Sequence, residues 1–341
     1  AETFVFHGVA SPWHVTWSPD SQWLAIKSCN VWILDFTDEL SQRLYGYDTG
    51  EARCAMWSPD GTRILTHNAS TAWLWDFVHG EEVRTFKWSK YFHQPWSPDG
   101  SRILTGDEEG PLRIWDVETG EVLSELHAPT KHAILPSWSL DGSRVVACLT
   151  PEPQAIVWDA DTGEVLAITP DIAEEGALLY APLCSPNGRY FVTGSVFVGR
   201  DTPARIWDAT TGELVMTLES HNGESVLANW SPTGQRIAVT HEDGVIEIWD
   251  VSSLYQIPAE HGTPLSQNDA NRVAAAKVLI TLTGHIGRVW WVTWSPSGQR
   301  VASGGIDSVV RMWDVATGEE VYNFHAPSEV ATLDWSPDGK Y

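Results

Sequence analysis

Between residues 284 and 325, short apolar runs alternate with breaks made of turn-forming residues. Val289 to Trp294 is one run, and Ser295-Pro296-Ser297-Gly298 follows it. There Pro presets φ and Gly takes a left-handed position, so the break reads as a tight turn. Arg300 to Ser303, Val309 to Trp313 and Glu320 to Phe324 are three further runs, divided by a loop at Asp307 and a hairpin turn at Ala316-Thr317-Gly318. Short runs rich in Val, Ile, Leu and Trp, each bounded by turn residues, predict strands. The block therefore predicts a four-stranded antiparallel meander. Such a sheet is too small to stand alone and must stack its faces on two neighbours.

The pattern recurs along the whole chain. Trp17-Ser18-Pro19-Asp20-Ser21 and Trp57-Ser58-Pro59-Asp60-Gly61 open a series that continues from Trp96, Trp138, Cys184, Trp230 and Trp294 and ends at Trp335-Ser336-Pro337-Asp338-Gly339. A second signature, an apolar residue followed by Trp-Asp, ends at Asp76, Asp116, Asp159, Asp208, Asp250 and Asp314, with a degenerate copy at Trp32-Ile33-Leu34-Asp35. Self-similarity at a period of about 40 residues means a repeat architecture. Of the 20 Trp, 14 sit in these two signatures, so the excess is mostly architectural.

Both signatures, at this separation, closely resemble the WD-repeat β-propeller family in its bacterial-type phrasing. The resemblance covers essentially all of residues 1–341 as a single domain and implies an all-β fold of four-stranded blades around a central channel, first strand innermost. It also implies a His–Ser–Asp–Trp hydrogen-bond set, complete only as His285, Ser303, Asp307 and Trp313 and structural in role. Most other repeats lack the His, although His221 and Asp243 keep their places.

Seven complete blades are expected, with third strands around Trp32, Trp75, Trp115, Trp158, Trp207, Trp249 and Trp313. A partial eighth repeat spans 329–341, and Glu2 to His7, within 1–12, reads as a fourth strand and candidate closing strand without a blade of its own. Two closures stay open: a longer parent chain completing an eighth blade, or seven closed blades with an extra tail. The separation between Trp230 and Trp294 stretches to 64 residues, which places a rim insertion at 252–277. Its stretch Asn268 to Lys277 reads as a short capped helix, either a tolerated insertion or a docking element.

Composition narrows the partners. The net charge of −24 repels phosphate backbones and anionic lipid, so nucleic acid and membranes are poor partners and basic proteins or peptides better ones. No apolar run reaches transmembrane length. Cys29, Cys54, Cys148 and Cys184 lack metal-ligand spacing, and reduced buried thiols favour a cytoplasmic protein. Phosphate-loop, nucleophile-elbow, H-E-x-x-H and C-x-x-C motifs are absent, so no catalytic residue, metal or cofactor is expected. His241-Glu242-Asp243 falls in the loop where the resembled family keeps its structural Asp.

In the resembled propellers, the residue four before the signature Trp lies near the channel mouth and often contacts ligands. Here that position holds Trp13, Arg53, Phe92, Ile134, Tyr180, Val226, Trp290 and, in the partial repeat, Ala331. Aromatics ringing one opening supply rigid contact area for binding. Loops between second and third strands on the same face carry Asp107, Glu108, Glu109, Glu152, Asp201, Glu242, Asp243 and Asp307. An aromatic floor within an acidic rim suits a segment bearing Arg or Lys. The expectation is a non-enzymatic interaction module, the sensor or scaffold region of a larger signalling protein as in resembled bacterial chains. An assembly subunit docking through 252–277, or a propeller hydrolase with polar groups on the inner ring, are the alternatives.

Overall fold

A computed structural model describes residues 14–27, 31–36, 45–47, 54–68, 70–88, 95–106, 110–129, 132–150, 153–172, 182–194, 203–219, 225–256, 276–330 and 332–341. Within them the chain forms seven antiparallel sheets, each a meander in chain order. Blade 1 comprises His14–Trp17, Trp23–Lys27, Val31–Asp35 and Tyr45–Tyr47. Blade 2 runs from Cys54–Trp57 to Glu82–Lys87, and blade 3 from Arg102–Gly106 to Val122–Leu126. Blade 4 spans His132–Trp138 to Val165–Ile168, and blade 5 Leu183–Cys184 to Leu214–Leu218. Blade 6 spans Ala228–Trp230 to Lys277–Leu282, and blade 7 Val289–Trp294 to Glu320–His325. Six sheets have four strands; in blade 3 the described residues hold three strands and one bridge, Trp96 to Ile103.

Both repeat signatures are turn locks. In blade 2 the Ser58 hydroxyl is buried, donates to Asp60 Oδ1 at 2.5 Å and accepts the Arg63 N–H at 2.9 Å. Asp60 in turn accepts the Thr62 N–H, and Gly61 closes the turn at φ 72°. Ser18, Ser97, Ser139, Ser185, Ser231, Ser295 and Ser336 are buried in the same way. The Asp of Trp-Asp does the equivalent job before the fourth strand: Asp116 accepts the Thr119 N–H at 2.6 Å and Asp314 the Thr317 N–H at 3.0 Å. These N–H donors hold both carboxyls below the usual carboxylate range.

The core lies between blades. Val31, Ile33, Ala55, Trp57 and Ile64 join blades 1 and 2, and Ile246, Ile248, Val292, Trp294 and Val301 join blades 6 and 7. Each such aliphatic contributes about 1.5–3 kcal/mol when fully buried. Blades are thus held by their faces, as a meander with two apolar sides requires.

Residues 332–341 form no strand, yet they hold a defined place. Trp335 is buried and its indole N–H donates to Thr293 O of blade 7 at 3.3 Å. On the other side the Asp338 N–H donates to Ser21 Oγ of blade 1 at 3.0 Å. The partial repeat is wedged between the first and last blades. The expected helix at 268–277 and the closing strand at 2–7 lie outside the described residues, and at 252–277 a 3-10 turn covers Ser252–Gln256.

Candidate functional site

The expected ring falls largely outside the described residues: Trp13, Arg53, Phe92, Tyr180 and Ala331, with Asp107, Glu108, Glu109, Glu152, Asp201 and His221, and the side chain of Ile134 as well. Two members are in view. Val226 is only 3% exposed, its N–H bound to Thr240 O, so its side chain is core and presents nothing to a partner. Trp290 is half-buried and stands where the innermost strand of blade 7 breaks register: Val289 pairs with Gly305 and Trp291 with Gly304, leaving Trp290 as the bulged residue. A bulge re-aims a side chain out of the ladder.

Around Trp290 the face is built from two blades. The Arg288 guanidinium lies 4.6 Å from the Trp290 ring and pairs with Glu242, which comes from the loop of blade 6 between second and third strands. A planar cation sits between an aromatic face and a carboxylate, an arrangement that favours Arg over Lys. Blade 4 carries a similar irregularity, with register shifting between Ile134 and Ser137 and Leu135 held at φ 53°. A non-glycine residue there is strained, and such strain collects at binding sites.

The hydrogen-bond set beneath this face is assembled. The Trp313 indole N–H donates to Ser303 Oγ at 2.9 Å, and Ser303 lies 2.8 Å from His285 Nε2. His285 Nδ1 meets Asp307 at 2.9 Å. Burial lowers the basicity of His285 more than Asp307 raises it. A neutral ring therefore accepts from Ser303 and donates to Asp307. Burial opposes ionisation of Asp307, but donors from Ile286 and His285 outweigh it and hold that carboxyl below its ordinary range.

In three repeats that lack the His the set keeps half of its chemistry. Trp75 donates to Thr66 Oγ1 at 2.8 Å, Trp115 to Thr105 at 2.7 Å and Trp207 to Thr193 at 3.0 Å. Where the hydroxyl is absent the indole finds another acceptor: Trp158 uses His127 O, and Trp249 uses Glu247, which also faces His241 at 3.3 Å. His241 thus belongs to a buried structural pair. Among the described residues no group of three His, Cys, Asp or Glu is placed to hold a metal ion.

The channel wall was not foreseen from the sequence. Residues of all seven blades line one cavity of about 710 Å³. Its wall is made by the residue one before each signature position, including Thr16, Met56, Pro95, Leu183 and Thr293, and by turn prolines such as Pro59 and Pro186. Counting back by one, not four, finds this wall. Two of its polar side chains are committed: Ser137 Oγ donates to Pro182 O at 2.5 Å and Asn229 Nδ2 to Val292 O at 3.1 Å, each on the next blade. Burial pushes the neighbouring Cys184 thiol up to about 12, leaving no thiolate for chemistry at neutral pH.

Two stretches, residues 212–250 and 276–314, match the family described as WD domain, G-beta repeat. Within a seven-bladed propeller, these two stretches are WD repeats. A chromatin assembly factor 1 subunit of Gallus gallus is 30% identical over 156 residues, 42% of this chain and 26% of that protein. Cell division cycle 20.1, cofactor of APC complex, of Arabidopsis thaliana is 28% identical over 170 residues, 41% of this propeller and 37% of that protein. Protein HIRA of Oryza sativa subsp. japonica is 30% identical over 159 residues, 43% and 15% respectively. The matches thus span well under half the length of these relatives. All three are eukaryotic, so they lend the bacterial-type expectation no support. The crystal structure of the computationally designed Ika8 protein superimposes with a TM-score of 0.71 at 17% identity, over 96% of this propeller and 94% of that chain, a likeness of fold alone.

Proposed function

We propose that this WD-repeat propeller is a non-enzymatic interaction module that takes a basic segment of a partner protein on the face carrying Trp290 and Glu242. A contact within the face itself carries the reading. Arg288 already lies on Trp290 and against Glu242, so this face accommodates a guanidinium between ring and carboxylate. A net charge of −24 adds long-range attraction for a cationic partner and opposes nucleic acid. The matched relatives are longer than their matched stretches, which supports a propeller working beside other segments of a signalling or scaffold protein.

The test is fluorescence anisotropy with a labelled peptide of alternating Arg and Gly, against its Glu–Gly counterpart. The Arg peptide binds, and more weakly as salt rises. Trp290→Ala and Glu242→Gln each weaken it about three- to tenfold. Arg288→Ala vacates the slot and tightens it. Equal binding of the Glu peptide, or indifference to both weakening substitutions, overturns the proposal.

A further inference from the structure

The loop that leads into blade 7 holds the most exposed large apolar side chain among the described residues. Ile286 is 79% exposed and stands two residues before Arg288. Ile306, on the loop between the second and third strands of blade 7, is 41% exposed. The two belong to one patch. Ile306 reaches over Gly287, its Cδ1 only 2.6 Å from where a Cβ on that glycine would stand. Gly287 also takes φ 80°, so this position admits a side chain neither in space nor in backbone conformation. An aliphatic ledge therefore runs from Ile286 across Gly287 to the slot made by Arg288, Trp290 and Glu242. Single exposed aliphatics are ordinary on a protein surface; a pair continuous with an aromatic ring and an ion pair marks an interaction site.

The ledge is also rigid. The Ile286 N–H donates to Asp307 Oδ2 at 3.1 Å, and the Ile306 N–H to Arg288 O at 3.1 Å. From the other side, the Val289 N–H donates to His241 O of blade 6 at 3.3 Å. Glycines let the flanking backbones close on this loop: a Cβ at Gly244 would collide with His285 O, and one at Gly305 with Arg288 O. With its backbone held from two blades, the loop keeps Ile286 in solvent. Its ordering cost is met in folding, so a partner that covers it gains apolar burial without ordering a loop.

We propose that the ledge seats an aliphatic side chain next to the cation of the docking segment, so that the segment recognised is an Arg beside a Leu, Ile or Val. This rests on the reading of the Trp290 face given above. The slot selects the charge, and the ledge selects its neighbour. A run of basic residues would instead lay a hydrated ammonium on Ile286 and Ile306, and stripping that water is costly.

The test titrates two labelled peptides by fluorescence anisotropy, one of alternating Arg and Gly and one of alternating Arg and Leu. The Arg–Leu peptide binds about tenfold more tightly, the yield of partly burying one aliphatic side chain. Ile286→Ser and Ile306→Ser each remove most of that gain and leave the affinity for the Arg–Gly peptide unchanged, whereas Ile286→Leu keeps the gain. Because Ile286 lies in solvent, Ile286→Ser leaves the melting temperature where it was. Trp290→Ala weakens both peptides alike. Equal affinity for the two peptides, or a gain that survives Ile286→Ser and Ile306→Ser together, overturns the ledge while leaving the underlying reading intact. Binding of neither peptide overturns both.

Discussion

Ser303 is the residue on which the surviving four-member hydrogen-bond set turns. It is fully buried and serves two partners, the Trp313 indole at 2.9 Å and His285 Nε2 at 2.8 Å. Ser303→Ala strands a buried donor and a buried acceptor together. Each unmade buried hydrogen bond costs about 1–3 kcal/mol, and partial relaxation leaves a total of roughly 2–4 kcal/mol. Thr66→Val in blade 2 is the matched control: Thr66 serves the Trp75 indole, which is itself half-buried and can turn to water. That change costs about 1 kcal/mol. Blade 4 shows the natural rescue, with Ala147 at this place and the Trp158 indole served by His127 O. Urea unfolding followed by Trp fluorescence at pH 7.5 measures both variants, with the slope checked for constancy. The protonation state supplies a second signature. Because the His285 pKa is depressed in the fold, the unfolded chain binds more protons below pH 6.5, so the stability of the set is present above that value and lost as pH falls. The Ser303→Ala penalty therefore shrinks on acidification. A penalty no larger than that of Thr66→Val, or one unchanged by pH, refutes the reasoning.

Asp334 accepts the Trp17 N–H at 3.3 Å across the seam, and burial there pushes its carboxyl up to about 6 even though part of the residue reaches solvent. The folded state holds this proton more tightly than the unfolded chain, so stability falls as pH rises from about 4 to 6; Asp334→Asn flattens that limb and raises the melting temperature at pH 7.5, and superimposable pH profiles refute it. Ser21 occupies φ 61° where the other seven turns place glycine, a cost of roughly 1 kcal/mol that its bond to the Asp338 N–H offsets. Ser21→Gly is accordingly near neutral in the intact chain and stabilising by about 1 kcal/mol once 329–341 is removed; additivity in a double-mutant cycle by urea unfolding contradicts this.

The framework was readable because its signatures are local chemistry. A Ser that caps, a Pro that presets φ and a Gly at positive φ make the same turn whatever surrounds them, so second strands begin six residues after the signature at Trp23, Arg63, Arg102, Arg144, Tyr190, Arg236 and Arg300. The site was less readable because its geometry depends on register. Counting four back assumes an unbroken first strand, but bulges at Trp290 and at Leu135–Pro136 shift the ladder, and Val226 turns into the core. Most repeats lack the His of the hydrogen-bond set. The Trp–hydroxyl half persists through Thr66, Thr105 and Thr193, and Thr four residues into the second-strand run was the available signal.

The division of labour in the propeller follows from which polar groups are already engaged. Along the channel, Ser137 and Asn229 each reach to the next blade in the ring, linking blade 4 to 5 and 6 to 7. A side chain held in such a link cannot also turn to a substrate without breaking a partly buried bond at about 1–3 kcal/mol. Much of the remaining wall is Met56, Pro95, Leu183 and Trp rings, which bury apolar surface. The channel is therefore a joint between blades. The recognition proposed above falls to the strand-end face, where a bulge frees Trp290 from the ladder and where Arg288 and Glu242 meet outside the core.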